Sequence, residues 1–298
     1  MPSLATIVSR VRQNLLSFSQ QQQQYSYLTA NIGTTDTTLM VNDASQVSTG
    51  LIEVGDSELM FVLSVNRQSN SVTLLPTGRG WMGTTPASWS SNTTVENNPI
   101  FPYQRVVEAV NDVIDSVYPD LFAIGTSQIT KISVVYNYEL PAAAEEVISV
   151  RYQIIGPSQV QPWMRRWRFD PQADSTVFTT GKSIELLEEV TPGRLITVQY
   201  MQEPSEMVNP TDDFVTATGL PASCAELIIF GACEKLAPSL EGPRLLLNSA
   251  ETSERSSMVQ PGSAAKISQY YGQLFEARLQ EERRKLYDRL ERPIHFNF

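Results

Sequence analysis

The run Gly50-Leu-Ile-Glu-Val-Gly-Asp-Ser-Glu-Leu-Met-Phe-Val62 holds two short apolar segments on either side of a turn. Valine, isoleucine and phenylalanine favour strands, and a Gly-Asp pair between two such segments is typical of a hairpin. Further strand-like segments occur at Thr38–Val41 and Ser71–Leu75. The spacing of these segments predicts a small antiparallel sandwich or barrel over residues 25–100.

Four segments around and beyond this region have apolar residues at helical spacing. The clearest is Tyr103–Val117, in which a row of valines forms one stripe and Pro119 stops the helix. The other three are Ser3–Phe18, Pro221–Ala237 and Ser263–Leu290. The segment Pro221–Ala237 has almost no polar face, which predicts a buried helix.

A second β-rich region covers residues 127–201, and residues 203–219 are expected to form a loop. Its strand-like runs are Ile129–Tyr138, Glu146–Ile155, Trp163–Phe169, Ser183–Leu187 and Leu195–Tyr200. The order of elements predicts an α+β fold: a four-helix bundle with two inserted antiparallel β modules, a long C-terminal helix and an extended C-terminal tail. The expected boundaries are 1–24 for the N-terminal bundle helix, 25–100 for the first β module, 101–123 for a bundle helix, 124–219 for the second β module, and 220–298 for the remaining bundle helices and the tail.

The composition excludes several classes of protein. The chain has 298 residues, 41% of them hydrophobic, and a net charge of −10. It is therefore neither globally disordered nor suited to coating DNA, which needs clustered cations. Cys224 and Cys233 lie nine residues apart on one helix, so a disulfide between them is not feasible and a reducing cytoplasm is expected. No apolar run is long enough for a transmembrane helix, and we expect no membrane contact.

No residue pattern points to catalysis. His295 is the only histidine, and as the fourth residue counted from the end it is poorly placed to serve as a firmly held base. Adjacent carboxylates such as Glu145 and Glu146 are typical of solvated surface. We therefore predict no catalytic residues, no metal and no cofactor. The glycines of the Gly78–Gly83 segment lack a βαβ context, so we predict a structural turn formed by Arg79, Gly80, Gly83, Thr84 and Thr85.

Three further segments are candidates for binding. Trp163–Arg168 interleaves aromatic and basic residues, and in a strand Trp163, Arg165 and Trp167 would share one face and Met164, Arg166 and Arg168 the other. The segment could bind nucleic acid, but pairing with an acidic neighbouring subunit is favoured. The charged half of the last helix has more ionic surface than one bundle needs, so Glu281, Glu282, Arg283, Arg284 and Lys285 are predicted to line a subunit interface or a lumen. After Pro293, alternation of Ile294, Phe296 and Phe298 with His295 and Asn297 predicts a strand that pairs with a partner's sheet or folds back on its own domain.

The segments Gly50–Met60, Arg79-Gly80 with Gly83–Ala87, Pro99–Pro102 and Tyr118–Phe122 together resemble those of head-to-tail adaptor (connector) proteins of tailed bacteriophages. The charged last helix also suits that family. The resemblance covers about a third of the chain by motif. It implies a homo-oligomeric ring, typically twelve-fold, below the portal protein and around the DNA exit channel.

The resemblance also implies partners and location. The segment Pro293–Phe298 would reach the portal protein, a tail or neck protein would bind elsewhere, and DNA would pass through without specific binding. The protein would be assembled in the host cytoplasm and reside in the virion at the head–tail interface. A tail-tip or baseplate component with glycan-binding β modules is the alternative, favoured if Trp81, Trp89 and Trp163 line an exposed groove. A hydrolase is the least favoured class.

Overall fold

The computed structural model describes residues 2–17, 24–55, 57–154, 160–240 and 263–290. Its helices are α1 (Leu4–Leu16), α2 (Tyr103–Ser116), α3 (Phe214–Thr218), α4 (Cys224–Leu236) and α5 (Ser263–Arg289). Its strands are β1 (Gln24–Tyr27), β2 (Thr38–Met40), β3 (Gly50–Val54), β4 (Glu58–Asn66), β5 (Ser71–Leu74), β6 (Thr94–Asn97), β7 (Ala123–Thr130), β8 (Asn137–Glu139), β9 (Glu146–Tyr152), β10 (Trp167–Asp170), β11 (Ser183–Leu186) and β12 (Leu195–Gln202).

The chain divides into two compact units. The first unit comprises Leu4–Asp112 and Ile228–Gln273, and the second comprises Met1–Ser3, Val113–Leu227 and Leu274–Phe298.

The predicted four-helix bundle with two small inserted β modules is wrong. The described residues form a mixed α/β structure with twelve strands in three sheets and five helices. Helix α1 shows why, because its Arg12 binds Glu53 of β3 and Glu96 of β6, so the helix rests on a sheet. An apolar stripe predicts that one helix face is buried, but it does not say whether a helix or a sheet covers that face.

The first unit contains a six-stranded antiparallel sheet in the order β1-β6-β3-β4-β5-β2. Its two outermost strands are joined just beyond their ends, where Leu28 and Val41 form a bridge and Thr29 N–H donates to the carbonyl of Met40. The sheet therefore curls into a half-barrel around an apolar core. This result confirms the strands predicted from the alternation at 38–41, 50–62 and 71–75.

The second unit contains two three-stranded antiparallel sheets, β7-β12-β9 and β10-β11-β8, around one shared apolar core. The predicted strand Ile129–Tyr138 is wrong, because the chain leaves β7 after Thr130, turns, and enters β8 at Asn137. The predicted strand Trp163–Phe169 is also too long. Trp163 makes only an isolated bridge to Arg151, and β10 begins at Trp167.

The helices predicted from periodicity are confirmed in existence, and α4 is buried along most of its length as expected. Helix α3 was missed in the segment expected to be a loop. The side chain of Asp213 caps it by accepting a hydrogen bond from Thr216 N–H, and Gly219 ends it at φ 73°. Among the described helices, none combines the length and apolarity that crossing a bilayer requires.

Candidate functional site

The turn predicted at residues 79–85 is organised around one buried carboxylate, Glu58, in the first unit. Glu58 has no exposed surface. Arg79 binds it with two parallel hydrogen bonds, from Nε at 2.8 Å and Nη2 at 3.0 Å. The backbone N–H groups of Gly80 and Ala87 and the indole of Trp89 also donate to it, at 3.2, 3.0 and 2.8 Å. We call these five residues the Glu58 cluster.

The environment of Glu58 keeps it ionised. Burial alone would raise its pKa, but the hydrogen bonds from Arg79, Ala87 and Trp89, together with the charge of Arg79, outweigh burial and leave the pKa below its ordinary value. The guanidinium of Arg79 also donates to the carbonyls of Gly33, Asp36 and Ala87. Every strong donor and acceptor is thus used internally, which makes the Glu58 cluster a structural centre rather than a reactive one.

The remaining residues of the predicted turn fix its backbone. Gly80 adopts φ 61°, and a Cβ atom there would lie 2.6 Å from the carbonyl of Thr84, so only glycine fits. Gly83 has φ 86°. The hydroxyl of Thr84 accepts from Leu59 N–H at 3.1 Å and ties the turn to β4, while Thr85 is exposed.

A second buried ionic cluster joins α1 to the sheet of the first unit. Arg12 Nη2 lies 2.8 and 2.7 Å from the two carboxylate oxygens of Glu53, and its Nε donates to the carbonyl of Phe101 at 2.9 Å. Glu53 also accepts from Tyr103 N–H at 3.0 Å, at the start of α2. The cluster links α1, β3, β6 and α2.

The charged residues predicted on the last helix are mostly neutralised within the second unit. Glu282 is buried and accepts from Ser223 Oγ at 2.5 Å and Lys285 Nζ at 2.8 Å. Glu281 is bound by Arg278 and Lys285. Arg283 lies 3.2 Å from Asp120, and Arg284 is exposed. Four of the five predicted residues are therefore paired within the unit, and the role of all five at an interface or lumen stays a prediction.

Both cysteines are buried, free thiols, as the sequence predicted. Burial, together with the neighbouring charge of Glu282, raises the pKa of Cys224 to about 12. Burial likewise raises the pKa of Cys233 to about 12. A thiol with such a pKa carries almost no thiolate at neutral pH, so neither cysteine is set up as a nucleophile.

We expect the two thiols of the native protein to resist a thiol reagent such as dithionitrobenzoate at pH 8. An ordinary cysteine, with a pKa near 8.5, is about one-quarter thiolate at that pH, whereas a pKa of 12 leaves about one in ten thousand. Labelling should therefore be absent in the folded protein and reach both cysteines in urea. Labelling of the native protein at the rate of a free cysteine would contradict this result.

The three tryptophans that would favour a glycan-binding protein if they lined an exposed groove make contacts within their own units. Trp89 donates to Glu58, and the ring of Trp81 lies 4.9 Å from that of Phe61. Trp163 has the guanidinium of Arg151 stacked 4.0 Å from its ring centre. All three side chains are partly buried. The observation that would favour a glycan-binding protein is therefore missing from the described residues.

The basic segment 163–168 does not present the two faces that strand alternation predicted. Met164 and Trp167 are both buried, because the chain runs irregularly until β10 begins. Arg165, Arg166 and Arg168 are exposed. They lie beside acidic residues, since the side chain of Glu188 accepts from Arg165 N–H and Arg168 faces Glu185 across the ladder. The surface is thus mixed in charge, which is unfavourable for binding phosphates.

In the described part of the chain, no group of three or more His, Cys, Asp or Glu side chains is placed to hold a metal ion. An open depression in the first unit is lined by Val47, Ser48, Thr49, Val65, Asn66, Arg67 and Gln68. It brings together no nucleophile and base. The predicted portal-binding residues Pro293, Ile294, His295, Phe296, Asn297 and Phe298 lie outside the described residues.

Sequence reasoning missed the acids at the centre of the two buried clusters, Glu53 and Glu58. A signal was present, since Glu53 interrupts the apolar run of Leu51–Val54 at a position that a central strand buries. A charge there requires a partner, and Arg12 on the apolar helix α1 was a candidate. The chain matches no protein-family model, and no curated protein sequence matches it.

Proposed function

We propose that the protein is a structural component of a tailed-phage particle, a head-to-tail adaptor that forms a homomeric ring below the portal protein and surrounds the DNA exit channel. Its partners would be the portal protein, a tail or neck protein, and further copies of itself. The proposal starts from the sequence resemblance at residues 50–60, 79–87, 99–102 and 118–122. It is not an enzyme in this proposal, which accords with the internally satisfied acids and unreactive thiols described above.

The observation that carries the proposal is an ordered turn with exposed apolar side chains between β7 and β8. Ile132, Val134 and Tyr136 are exposed by 56%, 84% and 54% of their surface. The hydroxyl of Tyr138 fixes the turn, accepting from Ile132 N–H at 2.9 Å and donating to the carbonyl of Val135 at 3.0 Å. We call residues 132–136 the apolar turn.

The apolar turn suits a protein partner. A rigid apolar protrusion loses little conformational entropy on docking, and exposed apolar clusters mark interaction surfaces. The neighbouring cation Lys131 is buried, because its ammonium donates to the carbonyl of Val135 and lies 4.5 Å from the ring centre of Tyr136. The turn therefore offers nothing to a phosphate backbone, as expected of a subunit past which DNA slides.

The stoichiometry of a complex with the portal protein tests the proposal. Purified adaptor mixed with its cognate portal should give a closed ring of many copies per portal, twelve in the arrangement that the resemblance implies, in a mass measurement of the intact complex. A complex with one or two copies per portal would overturn the proposal. Val134→Asp should weaken assembly without unfolding the subunit, whereas Val208→Asp, at another exposed valine of the second unit, should not.

A further inference from the structure

The outer edge of β7 is an open sheet edge in the second unit. Strand β7 is the last strand of the sheet β7-β12-β9. Lys131 N–H donates to the carbonyl of Arg194, and Gly193 N–H donates to that of Lys131, so the odd-numbered positions of β7 bond to β12. Four even-numbered positions therefore direct their backbone N–H and C=O groups outward, and their side chains are exposed: Ile124, Thr126, Gln128 and Thr130.

Strand β7 has none of the features that usually protect an open edge. In the described part of the chain its outward groups have no backbone partner. Its eight residues include no charged side chain and no proline, and its pairing with β12 continues from Ala123 to Thr130 without a bulge. Proteins normally shorten, charge or interrupt such an edge, because a row of open N–H and C=O groups is a template for a further strand. An uncharged edge of this length therefore indicates that another strand covers it.

Exposed apolar side chains lie at both ends of this edge. Ile124, at its start, is exposed by 45%, and Tyr287, exposed by 41%, lies against the ring of Phe122 just before β7. The apolar turn, residues 132–136, follows the other end. Antiparallel pairing places the start of one strand beside the end of its neighbour. A second copy of β7 would therefore bring Ile124 of each copy next to the apolar turn of the other.

One register of such a self-pair uses all four outward positions. In this register Thr126 lies opposite the partner's Gln128, Ile124 lies opposite the partner's Thr130, and a twofold axis passes through Ser127. Every outward N–H and C=O group of β7 then finds a partner. Across the exposed face a hydroxyl meets an amide at Thr126, and no charge meets a like charge, which would destabilise the pair.

We propose that two copies of the free protein pair through the outer edges of β7, antiparallel and about a twofold axis at Ser127, so that their sheets join into one. A second copy fits better than an unrelated strand, because β7 matches itself along its length and apolar residues meet at both ends. A twofold contact closes after two copies. Assembly of the ring, which rests on the function proposed above, would exchange this contact for those between ring neighbours.

Engineered cysteines test the pairing in the full-length protein without portal. The double variant Thr126→Cys/Gln128→Cys places thiols of the two copies directly opposite each other, within the distance that a disulfide spans. Each single variant is a matched control. Its cysteine and that of the partner are offset by two residues, roughly 7–8 Å on a diagonal, which is beyond ordinary disulfide distance. The native thiols of Cys224 and Cys233 are buried and add little background.

The expected result is a covalent dimer of the double variant after mild oxidation, seen by non-reducing electrophoresis, and none of either single variant. The unmodified protein should have the native mass of two copies. Gln128→Pro should reduce that mass to one copy and leave the circular dichroism spectrum unchanged, because an edge strand tolerates proline where its N–H faces solvent.

Three outcomes would overturn the proposal. These are a monomeric unmodified protein, equal cross-linking in the single and double variants, and an oligomer that persists in folded Gln128→Pro. The last would show that the copies associate through another surface. Because no portal is present, these outcomes are independent of whether the protein forms a ring below a portal.

Discussion

Replacing Arg79 by alanine is expected to lower the free energy of unfolding by about 3–5 kcal/mol, the usual cost of leaving a buried charge without its partner. Glu58 has no exposed surface, and Arg79 supplies its two charge-assisted bonds. The substitution also leaves the carbonyls of Gly33 and Ala87 without this donor. Urea unfolding followed by circular dichroism measures the effect.

Two variants control this experiment. Arg67→Ala removes an exposed arginine from the same unit and should change stability by less than about 0.5 kcal/mol. Arg79→Lys keeps the charge but loses the planar fork that reaches both carboxylate oxygens, so an intermediate loss is expected. A loss below about 1 kcal/mol for Arg79→Ala would show that the Glu58 cluster does not hold the sheet together.

Deleting residues 293–298 is expected to leave a folded subunit that no longer docks on the portal. Burying one phenylalanine contributes about 1.5–3 kcal/mol, so losing Phe296 and Phe298 alone should weaken each contact by roughly 100-fold or more. The loss is repeated around a ring, which multiplies its effect on the assembly. Co-sedimentation with portal particles measures docking, and circular dichroism verifies the fold.

Point substitutions separate the apolar residues of the deleted segment from its polar residues. Phe296→Asp with Phe298→Asp should abolish docking as the deletion does, whereas His295→Ala with Asn297→Ala should preserve it. Full docking by the deletion variant would refute a portal-binding role for residues 293–298. Unfolding on deletion would instead place these residues in the subunit's own core.

The sequence predicted local structure well where one physical signal dominates. Strands β3, β4 and β5 follow from alternating apolar residues between turn residues, and α4 from an apolar run that no surface helix tolerates. The arrangement of these elements was predicted wrongly, because helix periodicity does not identify the covering surface. For α1 the covering surface is a sheet, because Arg12 contacts Glu53 and Glu96 on two of its strands. These contacts join positions that are distant in sequence.

The candidate sites were predictable only in part. The glycines at 80 and 83 indicated a turn, but nothing local indicated that Glu58, more than 20 residues earlier, accepts hydrogen bonds from it. The apolar turn was hidden for a similar reason, since Ile132, Val134 and Tyr136 alternate like a buried strand. Tyr138 and Lys131 hold them in solvent instead, through contacts that periodicity does not report.

The pairing of β1 with β6 has a consequence for synthesis of the chain. Gln24 lies opposite Asn97, 73 residues later, and their side chains are hydrogen-bonded. At about 5–20 residues per second, the ribosome needs roughly 4–15 s to extend the nascent chain from one to the other. During that interval β1 has been synthesised but its pairing strand β6 has not, and Arg12 lacks the carboxylate of Glu96. We expect the first sheet to close only after Asn97 has emerged, while the segment Ile228–Gln273 of the same unit is still to be synthesised.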